Sequence, residues 1–163
     1  MRKEIKHYLQ QWQSIYDGKP WYGPSLRTVL QGLDAETAYW KPRPGAHSII
    51  ELLHHILCWR RHFVQRLSGN LDFSIQLNSP EDWTAYEGLS EEKWKGMVKE
   101  LEDNQKEITR LLNGKEDAFL EQDSGKGGIT FRERLEGTIQ HDLYHLGQMA
   151  MMKALYRLTP RQA

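Results

Sequence analysis

The feature that most narrows the choice of fold is a pair of stretches that each mark a helix at its first turn. Thr130 precedes Glu133 by three positions, and the same spacing recurs at Ser48 and Glu51. Such a capping box satisfies two amides that a helix start otherwise leaves orphaned. From Ser48, the apolar residues Ile49, Leu52, Leu53, Ile56, Phe63 and Leu67 recur at three- and four-residue steps until Ser68-Gly69-Asn70 ends the pattern. From Thr130, the second stretch runs to about Leu158, ahead of Pro160.

Two further helices complete the pattern. One covers about 2–16 and resumes as Ser25 to Leu33, after a break at Pro20, Gly23 and Pro24. The other runs from Ser90, a cap followed by Glu91 and Glu92, to Leu112 before Asn113-Gly114. Residues 70–89 and 121–129 read as irregular connections, and Trp40-Lys41-Pro42-Arg43-Pro44-Gly45 cannot be helical. Nothing alternates like a paired strand. The expectation is an all-α chain, a four-helix bundle with long crossover connections, in one domain over 1–163.

Lys plus Arg and Asp plus Glu both total 22 over 163 residues, so the net charge is near zero. A balanced surface offers no electrostatic reason to expect nucleic acid or an anionic membrane as partner, and it eases self-association. A lone cysteine, Cys58, excludes an intrachain disulfide. No apolar segment resembles a signal peptide or a membrane span, so the expected location is cytoplasmic.

The residues that could carry chemistry are histidines. His141 and His145 stand four apart on the last helix, so both imidazoles lie on one side and within reach of one ion. The second helix offers His54 and His55. Helical phase puts His145 roughly 80° and His141 roughly 120° from the centre of the apolar stripe. His54 and His55 flank their own stripe on opposite sides, and phase does not choose between them. All four are therefore expected at an edge of the core. His141-Asp142-Leu143-Tyr144-His145 is not the H-E-x-x-H metallopeptidase motif, because that motif needs a glutamate base. After His145 the chain has no His, Asp, Glu or Cys, so any third protein ligand comes from upstream.

Two blocks of sequence resemble the DinB superfamily of DinB/YfiT-like metal-dependent enzymes. One is the tryptophan and proline-glycine turn at 40–45 with the Ser48-Ile49-Ile50-Glu51-Leu52-Leu53 helix start and His54-His55-Ile56; the other is His141-Asp142-Leu143-Tyr144-His145-Leu146-Gly147-Gln148-Met149. The resemblance implies that His55, followed by an aliphatic residue, joins His141 and His145 as the metal ligands. It implies one divalent ion, zinc or nickel, in a four-helix bundle that often pairs as a homodimer. Some members have an arginine where Leu146 stands, so a function resting on that arginine does not carry over.

Around these residues, Gln148 reads either as a partner that orients a ligand histidine or as bundle packing. Tyr144 and Asp142 read as exposed or packing residues. His7, His47 and His62 read as solvated or locally bonded, Met149, Met151 and Met152 as core or dimer packing, and Cys58 as a small buried hydrophobe rather than a ligand paired with His54. Trp21, Trp40, Trp59 and Trp83 either shape a pocket or pack one. Three histidines leave an open position on the ion, as a catalytic site does. By resemblance the leading expectation is a metal-dependent thiol (S-)transferase acting on a small-molecule thiol and an electrophile. The alternatives are a hydrolase using metal-bound water, with Asp142 or Glu51 as base, and a non-catalytic metal-binding stress-response protein.

Overall fold

A computed structural model of the chain describes residues 2–160. Met1 and residues 161–163, part of the expected single domain, lie outside them. The described chain is all-helical, as its periodicity predicts. The long helices are α1 (Lys3–Asp17), α4 (Ile49–Leu67), α5 (Glu91–Asn113) and α6 (Phe131–Leu158). Two five-residue helices, α2 (Leu26–Leu30) and α3 (Ala35–Tyr39), and a 3-10 turn over Asp117–Glu121 fill the connections. The only bridge among the described residues is an isolated one between Asp123 and Thr130.

The capping residues act where the spacing places them. Thr130 Oγ1 accepts from the Glu133 amide at 3.2 Å, and Glu133 Oε2 accepts from the Thr130 amide at 2.7 Å. Glu51 Oε2 likewise accepts from the Ser48 amide at 3.0 Å. Ser90 Oγ accepts from the Lys93 amide at 3.1 Å. α1 has no such local cap. The Asp117 carboxylate of the 3-10 turn accepts instead from the amides of Lys3, Glu4 and Ile5 at 2.8, 3.1 and 2.9 Å. A short-range pattern could not announce that long-range cap. The expected Ser25–Leu33 continuation shortens to α2, and Asp34 opens the unanticipated α3 by accepting from the Thr37 amide at 2.9 Å.

Each long helix packs against two others: α4 against α5 and α6, and α1 against α5 and α6. Between them Ile5, Trp12, Leu53, Ile56, Leu101, Ile108, Leu135 and Met149 are buried. Removing this apolar surface from water is the main favourable term in folding. The crossover between α4 and α5 has no helix of its own. It passes near the α4–α6 seam, and this decides the chemistry of the site.

Candidate metal centre

His55 comes from the middle of α4, and His141 and His145 from successive turns of α6. One ligand atom from each lies within 4.8 Å of the others, an arrangement that could hold a metal ion. His55 Nε2 and His141 Nε2 face each other at 3.0 Å. His55 and His145 are buried, and His141 is half-buried.

The other ring nitrogens set which lone pairs face inward. His55 Nδ1 lies 2.8 Å from Asp82 Oδ1, an oxygen that can only accept, so Nδ1 carries the proton and Nε2 the lone pair. Asp82 is buried and fully engaged: its Oδ1 also accepts from Trp59 Nε1 at 2.9 Å, and its Oδ2 from the Asn78 amide at 2.9 Å. His145 Nδ1 donates to Gln148 Oε1 at 2.6 Å, again leaving Nε2. His141 Nδ1 is buried with no partner among the described groups. His141 Nε2–H therefore donates to His55 Nε2, and Nδ1 is a bare acceptor.

Burial holds all three imidazoles neutral. It is the largest cause in each case: His141 is pushed down to about 3, and His55 and His145 are lowered despite the Asp82 carboxylate and the Gln148 bond that favour their charged forms. A neutral imidazole is the form that binds a metal. Bonds of about 2.0–2.1 Å in a tetrahedral site put two ring nitrogens about 3.3 Å apart. The neutral donor set, with His55 Nε2 and His141 Nε2 at 3.0 Å close to that spacing, fits a borderline divalent ion.

The ring walls are aromatic. Trp83 is stacked between His55 and His47, with centroids 3.9 Å from each. Trp59 meets His55 and His141 edge-on at 6.4 and 6.2 Å. Trp40 packs on Tyr156, and Trp21 is 96% exposed, so only two of the four tryptophans shape this site.

The structure parts His54 from His55. His54 turns away from the cluster: its Nε2 donates to the Glu81 carbonyl at 2.8 Å, and its Nδ1 accepts from the Tyr86 hydroxyl at 2.8 Å. Each histidine thus ties α4 to the 81–86 segment, one from outside the site and one within it. Phase predicts an edge position, yet His55 and His145 are buried, because Trp83 covers the edge. Cys58 is buried and its thiol is pushed up to about 11 by burial, as a structural thiol should be. His7 and His47 are exposed, whereas His62 is buried and accepts from Arg66 Nε at 3.4 Å.

Asp142 takes the packing role of the two expected for it, with a partner the sequence did not name. It is fully buried and accepts from Arg60 Nε and Nη2 at 2.9 and 2.7 Å. Asp82 is the residue that sequence reasoning missed. It lies in an irregular connection, and its only signal was a carboxylate beside a tryptophan.

A family model described as the DinB superfamily matches residues 24–149. No curated protein and no solved structure matches the chain.

Proposed function

From the premise that this chain belongs to the DinB superfamily, we propose that it is a metal-dependent small-molecule enzyme of the thiol (S-)transferase type. His55, His141 and His145 hold one divalent ion, zinc or nickel, on a four-helix bundle. What supports this reading is the orientation of the rings: Asp82 and Gln148 hold the Nδ1 protons of His55 and His145, which turns both Nε2 lone pairs toward His141. When bound, the ion favours the thiolate form of a thiol substrate. The chain's own part is to orient the donors, keep them neutral and exclude water with Trp83 and Trp59.

The engagement of Asp142, Glu51 and Asp82 supports thiol transfer over hydrolysis. A hydrolase needs a general base within reach of the attacking water. Asp142 is buried on Arg60, Glu51 is buried on Lys41 at 2.7 Å and on the Ser48 amide, and Asp82 is spent on His55, Trp59 and the Asn78 amide. A thiol substrate brings its own nucleophile and needs none of them.

No helix among the described residues is long and apolar enough to cross a membrane. Tyr144, Met151, Leu155 and Leu158 are exposed along α6. We read this row as the face on which two copies meet, which light scattering in solution tests.

The experiment for the site is the metal content of protein purified without a histidine tag, beside a His145→Ala variant. About one ion per chain, lost in the variant, is expected. No ion after incubation with zinc and nickel would sink the metal reading. Consumption of an electrophile without added thiol would transfer the assignment to hydrolysis.

A further inference from the structure

A cleft of about 380 Å3 opens beside the three histidines. His55 and His141 line it together with Trp59, Leu77, Ile129 and Arg134. Arg134 precedes His141 by two turns of α6, about 10 Å along the axis. The cleft therefore joins the candidate metal centre to a cation through apolar walls.

That cation has no ion pair among the described residues. Arg134 Nε donates to Ser124 Oγ at 2.8 Å, which uses one of its five donors. No carboxylate among the described residues comes within 4.0 Å of it. Asp123, the acid that acts on it from farther off, accepts from the Gly125 amide at 2.8 Å. Glu133 also lines the cleft, but its Oε2 is taken by the Thr130 amide and hydroxyl at 2.7 and 2.9 Å.

Arg66, a second cation close enough to act on Arg134, is 2% exposed and likewise has no ion pair among the described residues. Its Nη1 has no hydrogen-bond partner among the described groups. The 121–129 loop closes directly over it. A Cβ on Gly125, whose φ is +105°, would stand 1.9 Å from that nitrogen. Burial first, and Arg66 second, lower the pKa of Arg134. Two partly desolvated cations without a close ion pair are costly to hold, and an anion from solution would offset that cost.

We propose that this cleft selects substrates carrying a carboxylate, which Arg134 anchors while the reacting end of the molecule lies at His55 and His141. This rests on the proposed function only for where the reaction occurs; the anchoring itself needs no metal. The planar guanidinium matches a carboxylate with two parallel hydrogen bonds, which an uncharged amide cannot accept equally well.

The test is calorimetric titration of the full chain with 4-phenylbutanoate and with its primary amide. It is run on protein stripped with EDTA and again on protein loaded with zinc. The acid is expected to bind at least about tenfold tighter than the amide, and Arg134→Gln to lose about ten- to a hundredfold in affinity for the acid alone. Ser124→Ala, which removes the loop tie but keeps the guanidinium, should preserve the acid-to-amide ratio. Equal binding of acid and amide, no saturable binding of the acid, or unchanged binding to a folded Arg134→Gln protein would each overturn the proposal. Should Arg134→Gln fail to fold, the acid-to-amide ratio in the wild type and in Ser124→Ala decides. Zinc retained by His145→Ala would break the metal reading but leave the ratio measured without metal unchanged.

Discussion

Two polar bridges join α4 to α6, and they are built on opposite principles. Arg60 and Asp142 meet in full burial, with Arg60 Nη1 also donating to Gln105 Oε1 at 3.1 Å and its guanidinium lying 4.4 Å over the Trp12 ring. That bridge is a buried ion pair, although Asp142 Oδ1 has no hydrogen-bond partner among the described groups. The histidine bridge begins five residues away on α4 and in the adjacent position on α6, yet it presents converging ring nitrogens beside an open cleft. One pairs opposite charges and fixes how the helices sit. The other gathers neutral donors that have no charge to satisfy one another. A paired interior charge fixes structure, whereas converging neutral donors could hold an ion.

The largest expected effect follows from breaking the buried ion pair. Asp142→Ala leaves Arg60 buried and unpaired, and should cost about 3–5 kcal/mol in urea denaturation. Replacing both residues together, Arg60→Met with Asp142→Leu, should recover most of that loss. If the single and double variants were equally unstable, the pair would not be the structural element described here.

Acid should weaken the protein through its buried histidines. His62 is pushed down to about 4 by burial first and then by Arg134 and Arg66, against 6.5 when unfolded. Between those values the unfolded chain binds the proton more readily, so stability falls as pH falls and levels off below the lower one. His62 alone accounts for a loss on the order of 3 kcal/mol. Denaturation of metal-free protein from pH 7 to 4 should show it, and His62→Gln should flatten the slope. His55, His141 and His145 act in the same direction, with His141 pushed to about 3. Burial pushes the Asp142 carboxyl up and Arg60 pulls it down.

Asp82→Asn separates orientation from ligation. The ring of His55 would lose its charged acceptor but keep its lone pair, and zinc affinity should fall about 10–100-fold in a competition titration. His54→Ala, one residue along the same helix, should leave zinc affinity within about twofold, since His54 bonds only to the 81–86 segment. An equal loss from both variants would mean that the segment, and not Asp82, orients the site. The smallest effect on stability belongs to the histidine bridge: His145→Ala should change metal-free stability by about 1 kcal/mol or less while abolishing zinc binding.

The four long helices and half of the site were legible because their signals are local. A capping box spans four residues, and the His141–His145 pair spans one turn, so sequence spacing alone puts both imidazoles on one side of α6. His55 was distinguished from His54 only by resemblance, since helical phase treats them alike. The structure separates them by what the connection after α4 brings to each: Asp82 and Trp83 to His55, Tyr86 and the Glu81 carbonyl to His54. An irregular segment carries no period from which its contacts could be read.

What the sequence by itself determined is where helices start and stop and that two histidines share one side of α6, because caps and helical spacing act between near neighbours. Tertiary structure alone decided that Asp142 is buried on Arg60, that Asp82 holds the tautomer of His55, that Asp117 caps α1, and that Arg134 has no ion pair among the described residues. Each of these is a pairing, or a missing pairing, between residues far apart in the chain. Such pairings exist only once the helices have packed and removed water as the competing partner.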